Sequence, residues 1–153
     1  MQHQILGDND CPILEIYLNA GEAVKIERGS MAYMSGVELQ GKVNSGSNGG
    51  GLGGLLSAVG RSIASGESMF ITEARGVMNG GRIGVAPSIP GKIVCLPIGE
   101  RQYRLNTGAF LAGDYSVGYS MKMQDIGKAF FGGTGGLFVM ETEGQGDVFV
   151  NAF

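Results

Sequence analysis

Glycine occupies 29 of the 153 positions of this chain, more than twice its average share of about 7%. Inside a helix each glycine costs roughly 0.5–1 kcal/mol relative to alanine, because its backbone loses more freedom on folding. The glycines follow no Gly-X-Y period and only four prolines accompany them, which excludes a collagen helix. The sequence therefore predicts an all-β fold with many tight turns.

Short segments of alternating polarity cover most of the chain and are typical of half-buried strands. Nine segments have this pattern: Ile13–Leu18, Ala23–Glu27, Met69–Glu73, Gly81–Val85, Lys92–Leu96, Tyr103–Leu105, Val117–Met123, Leu137–Met140 and Val148–Val150. Between them, Ala86–Gly91 contains two prolines and is predicted to be a loop. About ten short strands at this spacing predict a sandwich, a jelly roll or a small barrel.

One segment departs from this pattern. Residues 45–55 are rich in glycine and serine and predict a flexible insertion. Residues 52–64 predict one short amphipathic helix, because five apolar side chains recur there at helical spacing. These side chains are Leu52, Leu55, Leu56, Val59 and Ile63. Glycines within the segment weaken the helix, so we expect it to form only against a surface.

The chain contains an internal duplication. Arg28–Ala32 aligns with Thr107–Leu111 at an offset of 79 positions, and Gly60–Phe70 aligns with Lys128–Phe138 at an offset of 68. We therefore predict a first β repeat over residues 1–86, which includes the insertion, and a second over residues 87–153. Because such repeats often cannot bury their apolar faces alone, the two are expected to form one compact unit.

Four motifs occur in order along the chain: Gly66–Phe70, Ala86–Gly91, Gly108–Ala112 and Gly144–Phe149. Together they resemble an uncharacterised bacterial family related to the mitochondrial biogenesis proteins named for altered inheritance of mitochondria. The resemblance implies β-sandwich repeats like those of the tryptophan RNA-binding attenuation protein (TRAP), assembled into oligomers. It also implies a third repeat after the position of Phe153, so the chain is either a short member or a fragment. The family has no established catalytic residues to carry over to this chain, and we expect no cofactor.

Composition and charge limit the partners. The apolar fraction of 43% supports a core, and the charged fraction of 16% leaves a sparsely charged surface, as expected where subunits cover it. The 11 basic side chains are spread without a cluster, which argues against nucleic acid binding. The N-terminal residues lack a signal peptide and no apolar run reaches the roughly 18 residues of a membrane span. We therefore expect a cytoplasmic protein.

Few residues could carry catalysis. His3 is the only histidine and is expected at a frayed terminus, which leaves no triad and no zinc site. Cys11 and Cys95 are interpreted as free thiols, with Cys95 buried in an apolar strand, although a disulfide between them stays open. The remaining candidates are carboxylates that share strand faces, for which the wet face of a sheet is the alternative interpretation. They are Glu67, Glu73, Glu141 and Glu143.

The apolar loops are the leading candidates for contact. In the first copy these are Leu52 to Ile63, and in the second copy Ile126, Ala129, Phe130 and Phe131. Three interpretations stay open: lids on the chain's own sandwich, a subunit interface, or a weak membrane or partner surface.

The main hypothesis is a non-enzymatic oligomeric scaffold or interaction protein whose first partner is a second copy of itself. One alternative is a module that binds a small ligand or single-stranded RNA, for which Tyr103 and Arg104 are the only stacking and cationic pair. A second alternative is a peripheral membrane protein that acts through the apolar loops.

Overall fold

The computed structural model describes residues 1–7, 10–40, 71–123 and 138–152. Within these ranges the chain forms 13 β-strands and one 3-10 helix at Thr107–Ala109. In chain order the strands are β1 (Gln2–Leu6), β2 (Ile13–Leu18), β3 (Ala23–Glu27), β4 (Met31–Ser35), β5 (Val37–Gln40), β6 (Ile71–Gly76), β7 (Gly81–Val85), β8 (Lys92–Ile98), β9 (Arg104–Asn106), β10 (Phe110–Asp114), β11 (Val117–Met123), β12 (Phe138–Gly144) and β13 (Gly146–Ala152).

The strands form three antiparallel sheets. Sheet A has the order β1-β2-β7-β4, sheet B has the order β5-β6-β3-β10-β13-β8, and sheet C has the order β11-β12-β9. Sheet B contains strands from both halves of the chain, because β3 from the first half pairs with β10 from the second. The prediction of an all-β, sandwich-like fold is therefore confirmed.

Sheet B is the middle layer, and both faces of its strands β10 and β13 are buried. Along β13, Phe149 belongs to the apolar core shared with sheet A, whereas its neighbours Val148 and Val150 belong to the core shared with sheet C. This alternation follows from the pleat, since successive side chains of a strand point to opposite faces. A sheet covered on both sides needs apolar residues at consecutive positions, as these three supply.

The order of strands in the first half recurs in the second. Strands β2-β7-β4 of sheet A correspond to β8-β13-β10 of sheet B, and β5-β6-β3 correspond to β11-β12-β9. The register recurs as well: Val37 lies opposite Gly76 in the first half. In the second half, Val117 lies opposite Gly144. Each half is therefore a two-sheet unit, and sheet B joins one sheet from each.

The two halves also share an irregularity. The register shifts after Met31, where β4 pairs with β7, and after Phe110, where β10 pairs with β13. Met31 and Phe110 are the residues that the sequence alignment equates. A bulge re-aims the side chains that follow it, which places Leu111 and Ala112 in the same core.

Several strands differ from the sequence-based prediction. Strands β1, β4, β5 and β10 were not predicted: the residues of β1, β4 and β10 do not alternate cleanly between polar and apolar, and β5 is only four residues long. The prediction of a frayed N-terminus is wrong: β1 pairs with β2 over five positions, and the His3 ring packs edge-on against Phe149 at 4.6 Å. Residues 86–91 are a loop, as predicted.

Three predictions fall wholly or partly on residues outside the described ranges. They are the flexible insertion at 45–55, the helix at 52–64, and the part of the hairpin before Ile71. The similarity to the TRAP fold and the repeat boundary at residue 86 stay predictions.

Phe149→Ala should lower the free energy of unfolding by about 3–5 kcal/mol, because the ring is fully buried in the middle layer. Urea unfolding followed by circular dichroism measures the change. As a control, Val77→Ala, at a side chain that is 55% exposed, should change it by less than about 0.5 kcal/mol. Equal effects of the two substitutions would contradict the three-layer arrangement.

Candidate functional site

The predicted apolar contact residues lie outside the described ranges. These are Leu52, Leu55, Leu56, Val59, Ile63, Phe130 and Phe131. Their role as an interface stays a prediction, and so does that of Glu67, which is also outside these ranges.

The three described carboxylate candidates do not converge. Glu73 of β6 is buried on the face of sheet B that points towards sheet C, and it forms a salt bridge with Arg75. Glu141 and Glu143 lie on the outer face of sheet C. Glu141 accepts a 2.6 Å contact from Nε of Arg104, and the Glu143 side chain lies across Gly118. Two of the three carboxylates thus pair with arginines, which favours a structural role over an acid–base pair.

Cys11 and Cys95 are both free thiols. The prediction that Cys95 is buried is wrong, because its side chain is exposed on the edge strand β8. Partial burial, followed by the negative charges of Asp147 and Asp114, nevertheless raises the pKa of the Cys95 thiol. Since the thiolate is the nucleophile, these surroundings disfavour nucleophilic catalysis.

Among the described residues, no group of three or more histidine, cysteine, aspartate or glutamate side chains is placed to hold a metal ion. No helix in the described part of the chain is long and apolar enough to span a membrane.

Sequence analysis missed a polar cluster on the outer face of sheet A. The Glu15 carboxylate accepts hydrogen bonds from the hydroxyls of Tyr17 at 2.6 Å and Tyr33 at 2.5 Å. Tyr33 reaches Glu15 from β4 across the intervening strand β7, where Gly84 leaves room for its ring. Glu15 is therefore only 6% exposed, although no second layer of described residues covers it.

The hydrogen bonds determine what this cluster can do chemically. Those from Tyr17 and then Tyr33 lower the pKa of Glu15, and the charge of Arg82 makes a smaller contribution in the same direction. The same bonds raise the pKa of both tyrosines. A carboxylate with a lowered pKa and occupied oxygen atoms is a poor general acid or base at neutral pH. The cluster is therefore best explained as a cross-strand link in sheet A.

A groove of about 480 Å³ lies where the β2–β3 and β10–β11 turns meet, and its lining includes Glu22 and Asp114. The carboxylate of Glu22 accepts a 2.7 Å hydrogen bond from the main-chain N–H of Asn19. The carboxylate of Asp114 accepts one of the same length from the N–H of Asp147. Both acids therefore hold turns in place, and no other acid of the lining joins them in a reactive set.

The predicted RNA-binding pair also has structural roles. The Tyr103 ring packs against the core shared by sheets B and C, and Arg104 pairs with Glu141. Single-strand binding needs aromatic faces open to bases. These two residues therefore lend no support to the RNA alternative.

The remaining candidate is a pair of strand edges. In the described part of the chain, six strands have an edge without a partner strand: β1 and β4 in sheet A, β5 and β8 in sheet B, and β9 and β11 in sheet C. Of these, β9 and β4 form the candidate pair. Their counterparts, β3 and β10, pair with each other in sheet B. An edge strand presents main-chain N–H and C=O groups that can pair with another chain. The candidate site is therefore an interaction surface made of backbone groups.

These features define a duplicated antiparallel β protein with open strand edges. A family model described as mitochondrial biogenesis AIM24 matches residues 3–153, and the chain belongs to this family. An uncharacterised protein of Streptococcus pyogenes serotype M6 is 53% identical over 143 residues, which is 93% of this chain and 56% of that protein. A crystal structure of a Streptococcus pyogenes protein, 47% identical, has a TM-score of 0.80 and covers 99% of this chain and 64% of its own. This chain thus spans less than two thirds of either relative.

Replacing Tyr17 and Tyr33 together with phenylalanine should reduce the acid sensitivity of folding. Because the folded-state pKa of Glu15 lies below its usual value of 4.5, its stabilising contribution is present above that pH and lost as the pH falls further. The variant should therefore melt at a lower temperature than wild type at pH 7, and the difference should shrink towards pH 3.

Differential scanning fluorimetry across this range measures the effect. Tyr115→Phe, at an exposed ring in the β10–β11 turn, is the control and should follow the wild-type curve. Parallel curves for the double variant and wild type would refute the role of the two hydroxyls.

Proposed function

We propose that this protein is a non-enzymatic assembly module that binds a second copy of itself head to tail, with edge β9 of one copy paired to edge β4 of the next. The observation that carries the proposal is the pairing of β3 with β10. Through it, one half of the chain already binds the other in this manner.

The internal junction supplies the register. In it, Ile26 lies opposite Ala112, and Lys25 opposite Gly113. Lys25 is equivalent to Arg104, because Lys25 lies opposite Glu73 of β6 and Arg104 lies opposite Glu141 of β12. The equivalent of Gly113 is Met34, because each follows the shared bulge by the same number of residues. The proposed pairing therefore places Arg104 of one copy opposite Met34 of the next.

The main chain of β9 is oriented for such pairing. The N–H of Thr142 in β12 donates to the carbonyl oxygen of Tyr103 at 2.9 Å, so the main-chain groups of Tyr103 face inwards. Successive residues of a strand direct these groups to opposite edges. Arg104 consequently directs its N–H and C=O groups to the outer edge, where a partner strand would receive them.

The side chains at the receiving edge support this assignment. Tyr33 and Met34 of β4 are 36% and 42% exposed, and Leu39 of the adjoining strand β5 is 37% exposed. Met34 and Leu39 lie on the core-facing side of their sheets, since they are opposite the core residues Ile83 and Ala74, whereas Tyr33 lies on the outer face of sheet A. Large apolar side chains exposed beside an open strand edge are typical of interaction sites. The low charge content of the chain lends further support.

The proposal includes a cytoplasmic location. Cys11 and Cys95 are exposed free thiols, which persist in reducing compartments. Catalysis is left out of the proposal because the acids of the candidate sites are engaged in structural contacts: Glu73 and Glu141 pair with arginines, Glu15 with tyrosines, and Glu22 and Asp114 with turn amides.

Two proline variants test the proposal. Arg104→Pro removes the outward donor of β9, and Met34→Pro removes the equivalent donor of β4, because proline has no main-chain N–H. Light scattering after size exclusion should show an oligomer for wild type and monomers for each variant alone. A 1:1 mixture should form a dimer, since the mixture retains one intact β9 edge and one intact β4 edge.

Arg104→Lys is the control, because it keeps both the charge and the main-chain donor. It should associate as wild type does. Circular dichroism and melting temperature establish that each proline variant folds, and formation of the mixed dimer demonstrates the same. A wild-type monomer at all concentrations, or a proline variant that still forms the full oligomer, would refute the proposal.

A further inference from the structure

Lys25 forms contacts across the internal junction between β3 and β10. It lies opposite Gly113 of β10, and its Nζ donates a 2.6 Å hydrogen bond to the carbonyl oxygen of Val117. The same ammonium lies 5.2 Å from the ring centre of Tyr119 and 5.4 Å from that of Tyr115, within the range of cation–π attraction. The Lys25 ammonium therefore connects sheet B to β11 of sheet C.

Arg104 holds the equivalent position on β9. Its side chain is 77% exposed, and its Nε contacts Glu141 at 2.6 Å. A guanidinium carries five N–H donors in a fixed planar arrangement. The contact with Glu141 therefore uses only part of its donor capacity, and the terminal nitrogens can bind a further acceptor.

The contacts of Lys25 have counterparts beside the β4 edge. In the first half of the chain, Met34 corresponds to Gly113, the residue opposite the cation. Val37 corresponds to Val117, whose carbonyl oxygen is the acceptor, and Leu39 corresponds to Tyr119. Met34 and Leu39 are exposed. By this correspondence, the Val37 carbonyl oxygen would be the acceptor, flanked by two apolar side chains that can pack against the flat face of a guanidinium.

We propose that Arg104 of one copy binds the main-chain carbonyl oxygen of Val37 in the second copy, while lying opposite its Met34, and thereby sets the register of assembly. The inference rests on the proposed head-to-tail function and adds the contact that makes one register preferred. Backbone pairing alone is tolerant of register, because every residue offers the same N–H and C=O groups. A single long cation directed at one carbonyl removes this tolerance.

Charge substitutions at Met34 test the register. The measurement uses the defined 1:1 dimer, with Met34 variants in the Arg104→Pro chain and Arg104 variants in the Met34→Pro chain. Opposite charges directly across a strand pair attract and like charges repel. Met34→Glu should therefore tighten the dimer about two- to fivefold, and Met34→Lys should weaken it by a similar factor.

Reversing the cation should reverse these signs. Arg104→Glu should weaken the dimer about tenfold or more, because it removes a charged hydrogen bond and repels the Val37 carbonyl. With Arg104→Glu in the partner chain, Met34→Lys should tighten the dimer rather than weaken it. Sedimentation equilibrium measures each dissociation constant.

Arg101→Glu and Ile89→Lys are the matched controls, since both positions are exposed and lie outside the two edges. Both should leave the dissociation constant within about twofold of the parent dimer. If the mixed dimer forms but Met34→Glu and Met34→Lys have equal effects, the proposed function stands and this inference is overturned. If neither wild type nor the mixture associates, both are overturned.

Discussion

The main-chain pairing of β3 with β10 is the interaction on which the rest of the structure depends. It joins three strands from each half of the chain into one six-stranded sheet. Because this sheet is continuous, a single layer supplies one wall of both apolar cores. Sheets A and C need no direct contact with each other, since each is held by burial against the shared layer. The two halves are consequently joined by one continuous sheet.

Much of this architecture could be predicted from the sequence, for reasons visible at particular residues. The alternation in Ile13–Leu18, Ala23–Glu27, Gly81–Val85 and Val117–Met123 matches strands with those bounds. The glycine content indicated a β fold, and four ordered motifs indicated the family to which the chain belongs. Local pattern was sufficient here because these strands have one face towards a core, which imposes a period of two.

Other elements could not be predicted, because their sequences reflect tertiary contacts. Phe110–Asp114 lies in the middle of a sheet with two buried faces and contains a bulge, so its apolar residues are consecutive rather than alternating. The Glu15 cluster depends on a tyrosine 18 positions away that crosses a third strand, a relation that requires the register of two strand pairs. The same holds for the candidate site, which consists of unpaired edges. An edge is a property of strand order, and no residue type marks it.

The way Tyr33 crosses Gly84 has a consequence for folding. The two halves have the same strand order and register, so β7 and β13 could in principle exchange places during collapse. In the native fold a large side chain lies beside a small one in each half: Tyr33 beside Gly84, and Phe149 beside Ala112. Exchange would set glycine beside alanine in one half, which leaves a void, and phenylalanine beside tyrosine in the other, which overfills the space. The large residue is on the outer strand β4 in the first half and on the central strand β13 in the second. Each central strand therefore fits its own neighbour better than the equivalent strand of the other half, which disfavours mispairing.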